Sequence, residues 1–104
     1  MILSDFVLLD ENSGQESNMW AIPPEATQVT LQVTGATSVA VGGIVDEKDA
    51  QPAMLSVINL ADFSVVDEIT TDGIYVVGVS GIKGIFVANS GTEGSVKVYG
   101  VCVG

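Results

Sequence analysis

Apolar residues in this chain fall into short runs that are separated by glycine, proline and charged residues. The last third holds three such runs, at residues 73–80, 84–90 and 95–103, each rich in β-branched and aromatic side chains. The breaks between them, at residues 81–84 and 89–94, contain glycine. Short β-rich runs joined by glycine turns are typical of antiparallel strands. The pattern therefore predicts a C-terminal antiparallel meander that serves as the apolar foundation of the fold.

Residues 28–34 show the clearest alternation of apolar and polar positions. Val29, Leu31 and Val33 alternate with threonine and glutamine. A period of two predicts a strand with one buried face and one polar face.

The rest of the chain supports an all-β fold in one domain. Further strands are predicted at residues 2–9, 38–45, 53–59 and 62–69, with a short apolar island at 19–22 that ends at two prolines and polar loops at 10–18 and 46–52. About eight or nine short strands, spaced at roughly 8–12 residues, indicate a sandwich or barrel. We therefore predict one antiparallel β-sandwich over residues 1–104, jelly-roll-like in its two packed sheets.

The C-terminal runs are unusual because both of their faces are apolar. In the last run, Val96, Val98 and Cys102 alternate with a second apolar set. Two apolar faces imply that both are covered. We predict that the protein is a homo-oligomer that associates through the C-terminal sheet, with an interface formed by Tyr75, Val77, Tyr99, Val101 and Val103. The alternative is that residues 1–9 and 19–22 fold back over that face.

Charge narrows the range of partners. The chain has 13 acidic residues against Lys48, Lys83 and Lys97, without arginine or histidine, for a net charge of -10. Nucleic-acid phosphates and anionic membrane surfaces would be repelled, so neither is expected as a partner. The acidic residues suit solubility. Residues 1–9 contain Asp5 and lack a basic start, and no apolar run approaches the ~20 residues of a membrane span, so we expect synthesis in the cytoplasm.

The sequence offers no recognisable catalytic constellation. Without histidine there is neither a Ser-His-Asp nor a Cys-His nucleophile, and no pair of carboxylates is singled out for glycoside cleavage. We predict a non-enzymatic protein without a cofactor. Cys102 lies in an apolar strand and is expected to pack as a small hydrophobe.

Calcium is the one metal that the composition suggests. Its oxygen ligands could come from two acidic stretches. Neither stretch matches an EF-hand loop, so no metal site is assigned. The two sets are Asp46, Glu47 and Asp49, and Asp67, Glu68 and Asp72.

The order of strand and turn motifs resembles a known class of proteins. Residues 29–35 read Val-x-Leu-x-Val-x-Gly, residues 69–81 contain Gly-Ile-Tyr-Val-Val-Gly-Val-Ser-Gly, and residues 94–100 read Gly-Ser-Val-Lys-Val-Tyr-Gly. This order is similar to that of small accessory virion proteins of tailed phages and prophages. The resemblance covers about three-quarters of the chain. It implies a β-sandwich that decorates heads or attaches to tails, commonly as a symmetric oligomer in contact with other virion proteins, and it transfers no catalytic residue.

A carbohydrate- or ligand-binding module is the competing class. Such sandwiches bind ligands with exposed aromatic side chains, and Trp20, Tyr75 and Tyr99 are the aromatic residues here that carry a polar group. Trp20 is the candidate ligand contact. Its alternative role is to close one end of the core.

Overall fold

The computed structural model describes residues 2–9, 19–35, 38–45, 53–89 and 96–104. Within these ranges the chain forms strands and no helix, which confirms the predicted all-β fold. The predicted loops at residues 10–18 and 46–52 lie outside the described residues. In chain order the strands are β1 (Ile2–Leu9), β2 (Trp20–Ala21), β3 (Gln28–Thr34), β4 (Val39–Ile44), β5 (Ala53–Leu55), β6 (Val57–Asn59), β7 (Ser64–Val66), β8 (Gly73–Gly78), β9 (Gly84–Asn89) and β10 (Lys97–Val103).

The strands form two antiparallel sheets that pack as a sandwich, as predicted. The larger sheet has the order β1-β10-β3-β8-β6-β7, and the smaller has the order β2-β9-β4-β5. In the series β1-β10-β3-β8 and β2-β9-β4-β5, early and late strands alternate, which is the winding of a jelly roll. The β6–β7 hairpin extends the larger sheet at one edge. The shortest dimension of the molecule, 21 Å, fits two sheets that pack about 10 Å apart.

The predicted C-terminal meander is wrong. Strands β8 and β10 both pair with β3, whereas β9 lies in the other sheet between β2 and β4. Three successive apolar runs look alike whether the strands pair with each other or alternate between two packed sheets. Glycine turns mark where the chain reverses, but they do not determine which sheet the next strand joins.

The run predicted as a single strand at residues 53–59 is two strands. Strand β5 pairs with β4 in the smaller sheet, and β6 pairs with β7 and β8 in the larger one. Ser56 separates them. The chain therefore passes from one sheet to the other at Ser56, which raises the strand number above the predicted eight or nine.

The core lies between the two sheets. Val29, Leu31 and Val33 of β3 are 0% exposed, so the predicted buried face of this strand is confirmed. Cys102 is a free cysteine in the core, as expected. Residues of the smaller sheet complete the core from the other side, among them Val39, Val41, Ile85 and Val87.

Close packing at one end of the sandwich depends on Gly100 of β10. The Phe6 ring of β1 stacks on the Trp20 ring of β2, with ring centroids 5.1 Å apart, and so joins the two sheets. A Cβ atom at Gly100 would lie 2.5 Å from Cε2 and 2.6 Å from Cζ of Phe6. Glycine at this position leaves room for the Phe6 ring.

Replacing Gly100 with alanine is expected to destabilise the fold. The added methyl group would push the Phe6 ring against Trp20, and overpacking of this kind costs about 1–3 kcal/mol in the free energy of unfolding. Gly78→Ala is the matched control, because a Cβ at Gly78 meets nothing within 4 Å. Urea denaturation monitored by circular dichroism gives both values. Equal stability of the two variants would contradict the packing described for Phe6.

Candidate functional site

The outer face of the six-stranded sheet is the candidate functional surface. Strand register determines which side chains share this face, because residues opposite each other on paired strands point the same way. One row crosses the whole sheet, from β1 to β7. It consists of Asp5, Val101, Thr30, Val76, Ile58 and Val65.

Strand β3 divides this face into two apolar strips. Thr30 is half-buried, and Gln32 and Thr34 are exposed, so the predicted polar face of this strand is confirmed. On one side lies the Tyr99 strip, formed by Val7, Tyr99, Val101 and Val103 of β1 and β10. On the other side lies the hairpin strip, formed by Ile58, Val65, Ile74 and Val76 of β6, β7 and β8.

The Tyr99 strip borders a shallow groove of about 500 Å³. Val7 is 45% exposed and Tyr99 is 40% exposed, whereas Val101 and Val103 are half-buried. In the described part of the chain, Asp5 contributes the one carboxylate of the groove lining, beside Phe6, Val7, Tyr99, Gly100 and Val101.

The idea that the N-terminal segments fold back over this face is wrong. Strand β1 pairs edge to edge with β10 and widens the sheet. Strand β2 pairs with β9 in the opposite sheet. In the described part of the chain, therefore, neither segment covers the Tyr99 strip.

Two of the five predicted interface residues lie in the core instead. Tyr75 is 1% exposed and Val77 is 3% exposed. Val77 lies opposite Val29, which in turn lies opposite Cys102 of β10, so its side chain points inward. A shift of one residue in register exchanges the two faces of a strand. Because β8 and β10 each pair with β3 and not with each other, the residues of β8 that share a face with Tyr99 are determined by the pairing of both strands with β3. Tyr99, Val101 and Val103 remain on the outer face, where self-association stays a prediction.

Tyr75 is held in the core by its hydroxyl group. The hydroxyl donates to the backbone carbonyl of Thr71 at 2.7 Å and lies 2.9 Å from the Thr71 hydroxyl. The ring is buried while its polar atom has partners in the segment before β8. Tyr75 is therefore a structural residue, and the surface tyrosine of this face is Tyr99.

Trp20 packs against the core and is also partly exposed. One side of the ring stacks on Phe6, yet the residue is 40% exposed. A surface pocket of about 350 Å³ lies beside the residue that follows Trp20. It is lined by Ala21, Ile22, Pro23, Pro24, Val79, Gly81, Ile82 and Lys83. The packing role is therefore visible in the structure. Ligand contact by Trp20 stays a prediction.

The acidic residues do not assemble a metal site in the described part of the chain. No group of three or more histidine, cysteine, aspartate or glutamate side chains is close enough there to hold an ion. Asp67, Glu68 and Asp72 are therefore not gathered into such a group. Asp46, Glu47 and Asp49 lie outside the described residues. Within the same ranges, no helix has the length and hydrophobicity to cross a membrane.

The fold defines the protein as a jelly-roll sandwich with an added hairpin, and two solved structures share this fold. One is the SPBc2 prophage-derived protein YomS, with a TM-score of 0.83 and 20% identity over 97% of this chain and 92% of that chain. The other is the PBSX exported protein XepA, with a TM-score of 0.83 and 17% identity over 97% of this chain and 37% of that chain. No protein-family model matches this chain. No curated protein matches it significantly either.

The two tyrosines are expected to respond differently to loss of the hydroxyl group. Tyr75→Phe removes the hydrogen bonds to Thr71 and should lower the free energy of unfolding by about 0.5–1.5 kcal/mol. Tyr99→Phe is the matched control and should change it by less than about 0.5 kcal/mol, because Tyr99 lies at the surface. Urea denaturation at low protein concentration measures both. A larger loss for Tyr99→Phe would reverse the assignment of core and surface.

Proposed function

We propose that this protein is a structural subunit of phage or prophage origin that associates with virions, as a head decoration or tail-associated protein, and acts as a homo-oligomer. The observation that carries the proposal is the shared fold: two prophage proteins match it over 97% of the chain with TM-scores of 0.83. The order of strand and turn motifs, which resembles that of accessory virion proteins, supports the same proposal. A repeated particle subunit needs symmetric contacts and requires no catalytic chemistry.

The Tyr99 strip is the proposed surface for self-association. It combines an exposed tyrosine, an exposed valine and two half-buried valines on two neighbouring strands. Tyrosine is enriched at protein interfaces because its ring buries a large apolar area while its hydroxyl remains able to hydrogen-bond. Among the described residues that line the groove, only Asp5 carries a carboxylate, so copies of a strongly acidic chain can approach each other here with little repulsion.

A charge introduced into the Tyr99 strip is expected to dissociate the oligomer. Val101→Asp would bury an unpaired carboxylate in the interface, so the mass measured by light scattering at micromolar concentration should fall to that of one chain. Val65→Asp is the matched control, since it makes the same substitution on the same sheet face but in the hairpin strip. Tyr99→Ser provides a second test if Val101→Asp fails to fold by circular dichroism. A monomeric wild type, or an unchanged mass in both strip variants, would contradict this interface.

Association with virions is tested on purified particles. Particles released from the source lysogen after induction are banded by density and analysed by quantitative mass spectrometry. We expect peptides of this chain to copurify with capsid or tail proteins in a fixed ratio, because a structural subunit occupies a defined number of positions. Recovery only in the soluble lysate fraction would contradict the virion role without bearing on self-association.

A further inference from the structure

The β6–β7 hairpin is additional to the eight strands that form the jelly roll. It lies between β5 and β8 in the chain and extends the larger sheet past β8. Its inner face contributes to the sandwich, because Val57 is buried and Val66 packs against the core. The two faces of the hairpin therefore differ, and the outer one needs a separate explanation.

The outer face of the hairpin is apolar and exposed. Ile58 and Val65 lie opposite each other and are 40% and 67% exposed. The turn that connects β6 to β7 adds Leu60, which is 40% exposed, and Phe63, which is 76% exposed. Val76 of β8 continues the row beyond Ile58. One aromatic and three branched aliphatic side chains that are exposed on a single hairpin form a concentrated apolar patch.

Carboxylates bracket this patch along the hairpin. At the strand end, Asp67 accepts a hydrogen bond from the Ser56 hydroxyl at 2.6 Å, across the two strands. At the turn, Asp62 accepts hydrogen bonds from the hydroxyl of Ser64 at 2.6 Å and from its amide at 3.0 Å. These two bonds hold the pKa of Asp62 below its ordinary value. Both acidic side chains are thus oriented and exposed at opposite ends of the Ile58–Val65 pair.

The sequence on either side of these carboxylates carries no positive charge. Residues 49–82 contain neither lysine nor arginine. Lys97 belongs to β10, which β3 and β8 separate from the hairpin. A second copy of the same patch would place like charges against each other, which costs binding energy. Charge complementarity therefore favours a partner that carries basic groups around an apolar centre.

The position of β7 indicates a polypeptide as that partner. Strand β7 is the last strand of the six-stranded sheet. A strand at the end of a sheet can pair with an added extended segment through backbone hydrogen bonds, while pockets and charges beside it select the side chains. We propose that the β6–β7 hairpin binds an extended, basic and apolar segment of another protein, with its apolar side chains on Ile58, Val65 and Phe63 and its basic groups at Asp62 and Asp67. This proposal holds independently of the virion role and of the Tyr99 strip.

A short synthetic peptide in which lysine and valine alternate is the probe. It is titrated into the full-length protein, and binding is followed by fluorescence anisotropy and by amide chemical shifts. We expect saturable binding, with the largest shifts at residues 58–67. Two reference peptides, lysine alternating with serine and glutamate alternating with valine, should bind at least about tenfold more weakly, because each lacks one of the two required features.

Variants distinguish binding of the peptide at the hairpin patch from its general electrostatic attraction to an acidic protein. Asp67→Asn should weaken binding of the lysine–valine peptide several-fold, whereas Glu25→Gln removes an equal charge from an exposed residue outside the hairpin and should not. Phe63→Gly combined with Val65→Thr should weaken binding about tenfold. Neither change should impair folding, since Phe63 has a φ of 58° in the left-handed region that favours glycine, and threonine suits an exposed strand.

Three results would overturn the proposal. The first is an equal effect of Asp67→Asn and Glu25→Gln, which would reduce the binding to diffuse electrostatics. The second is equal binding of the lysine–serine peptide, which would remove the apolar patch from the interaction. The third is a loss of self-association on Val65→Thr, measured by light scattering, which would assign the hairpin to contacts between copies of this chain.

Discussion

The structure depends on the pairing of β3 with a strand on each side. Val29, Leu31 and Val33 are fully buried, and each lies opposite residues of both β10 and β8. A strand with one apolar and one polar face has a strongly specified register, because a slip of one residue would bury glutamine and threonine. The register of β3 therefore determines which residues of β8 and β10 point outward. That constraint places Tyr75 and Cys102 in the core and leaves Tyr99 and Val76 on the surface.

The same strand explains why the outer face is not one continuous apolar surface. Thr30 lies between Val101 and Val76, and Gln32 lies between Tyr99 and Ile74. A patch that extended across all six strands would be an aggregation hazard for a single domain. Because β3 is polar on this face, the apolar residues are divided between two smaller surfaces.

Local features of the fold follow from the sequence, whereas the connections between strands do not. The alternation at residues 28–34 predicted β3 with its bounds, and the prolines after residue 22 limited β2 to two residues. The alternation within the last run correctly separated Val98 and Cys102 from Tyr99 and Val101. Sheet membership was missed for β9 and at Ser56, because it depends on contacts between residues distant in sequence. The interface set failed at Tyr75 and Val77 for the same reason, since alternation gives the two faces of each strand but not their match across strands.

The net charge of -10 has opposite consequences for the two apolar strips. An interface between identical copies brings equal charges together, so it is most stable where carboxylates are few. Among the described residues, Asp5 is the one carboxylate that lines the Tyr99 groove, and Lys97 lies on β10, the strand of Tyr99. The hairpin has the reverse composition, with Asp62 and Asp67 oriented by serine hydroxyls beside exposed apolar residues. Repulsion between copies therefore disfavours self-association at the hairpin, while the same carboxylates attract a basic partner. The uneven distribution of acidic residues over one sheet face therefore suits the proposed division, with identical subunits at one strip and a different protein at the other.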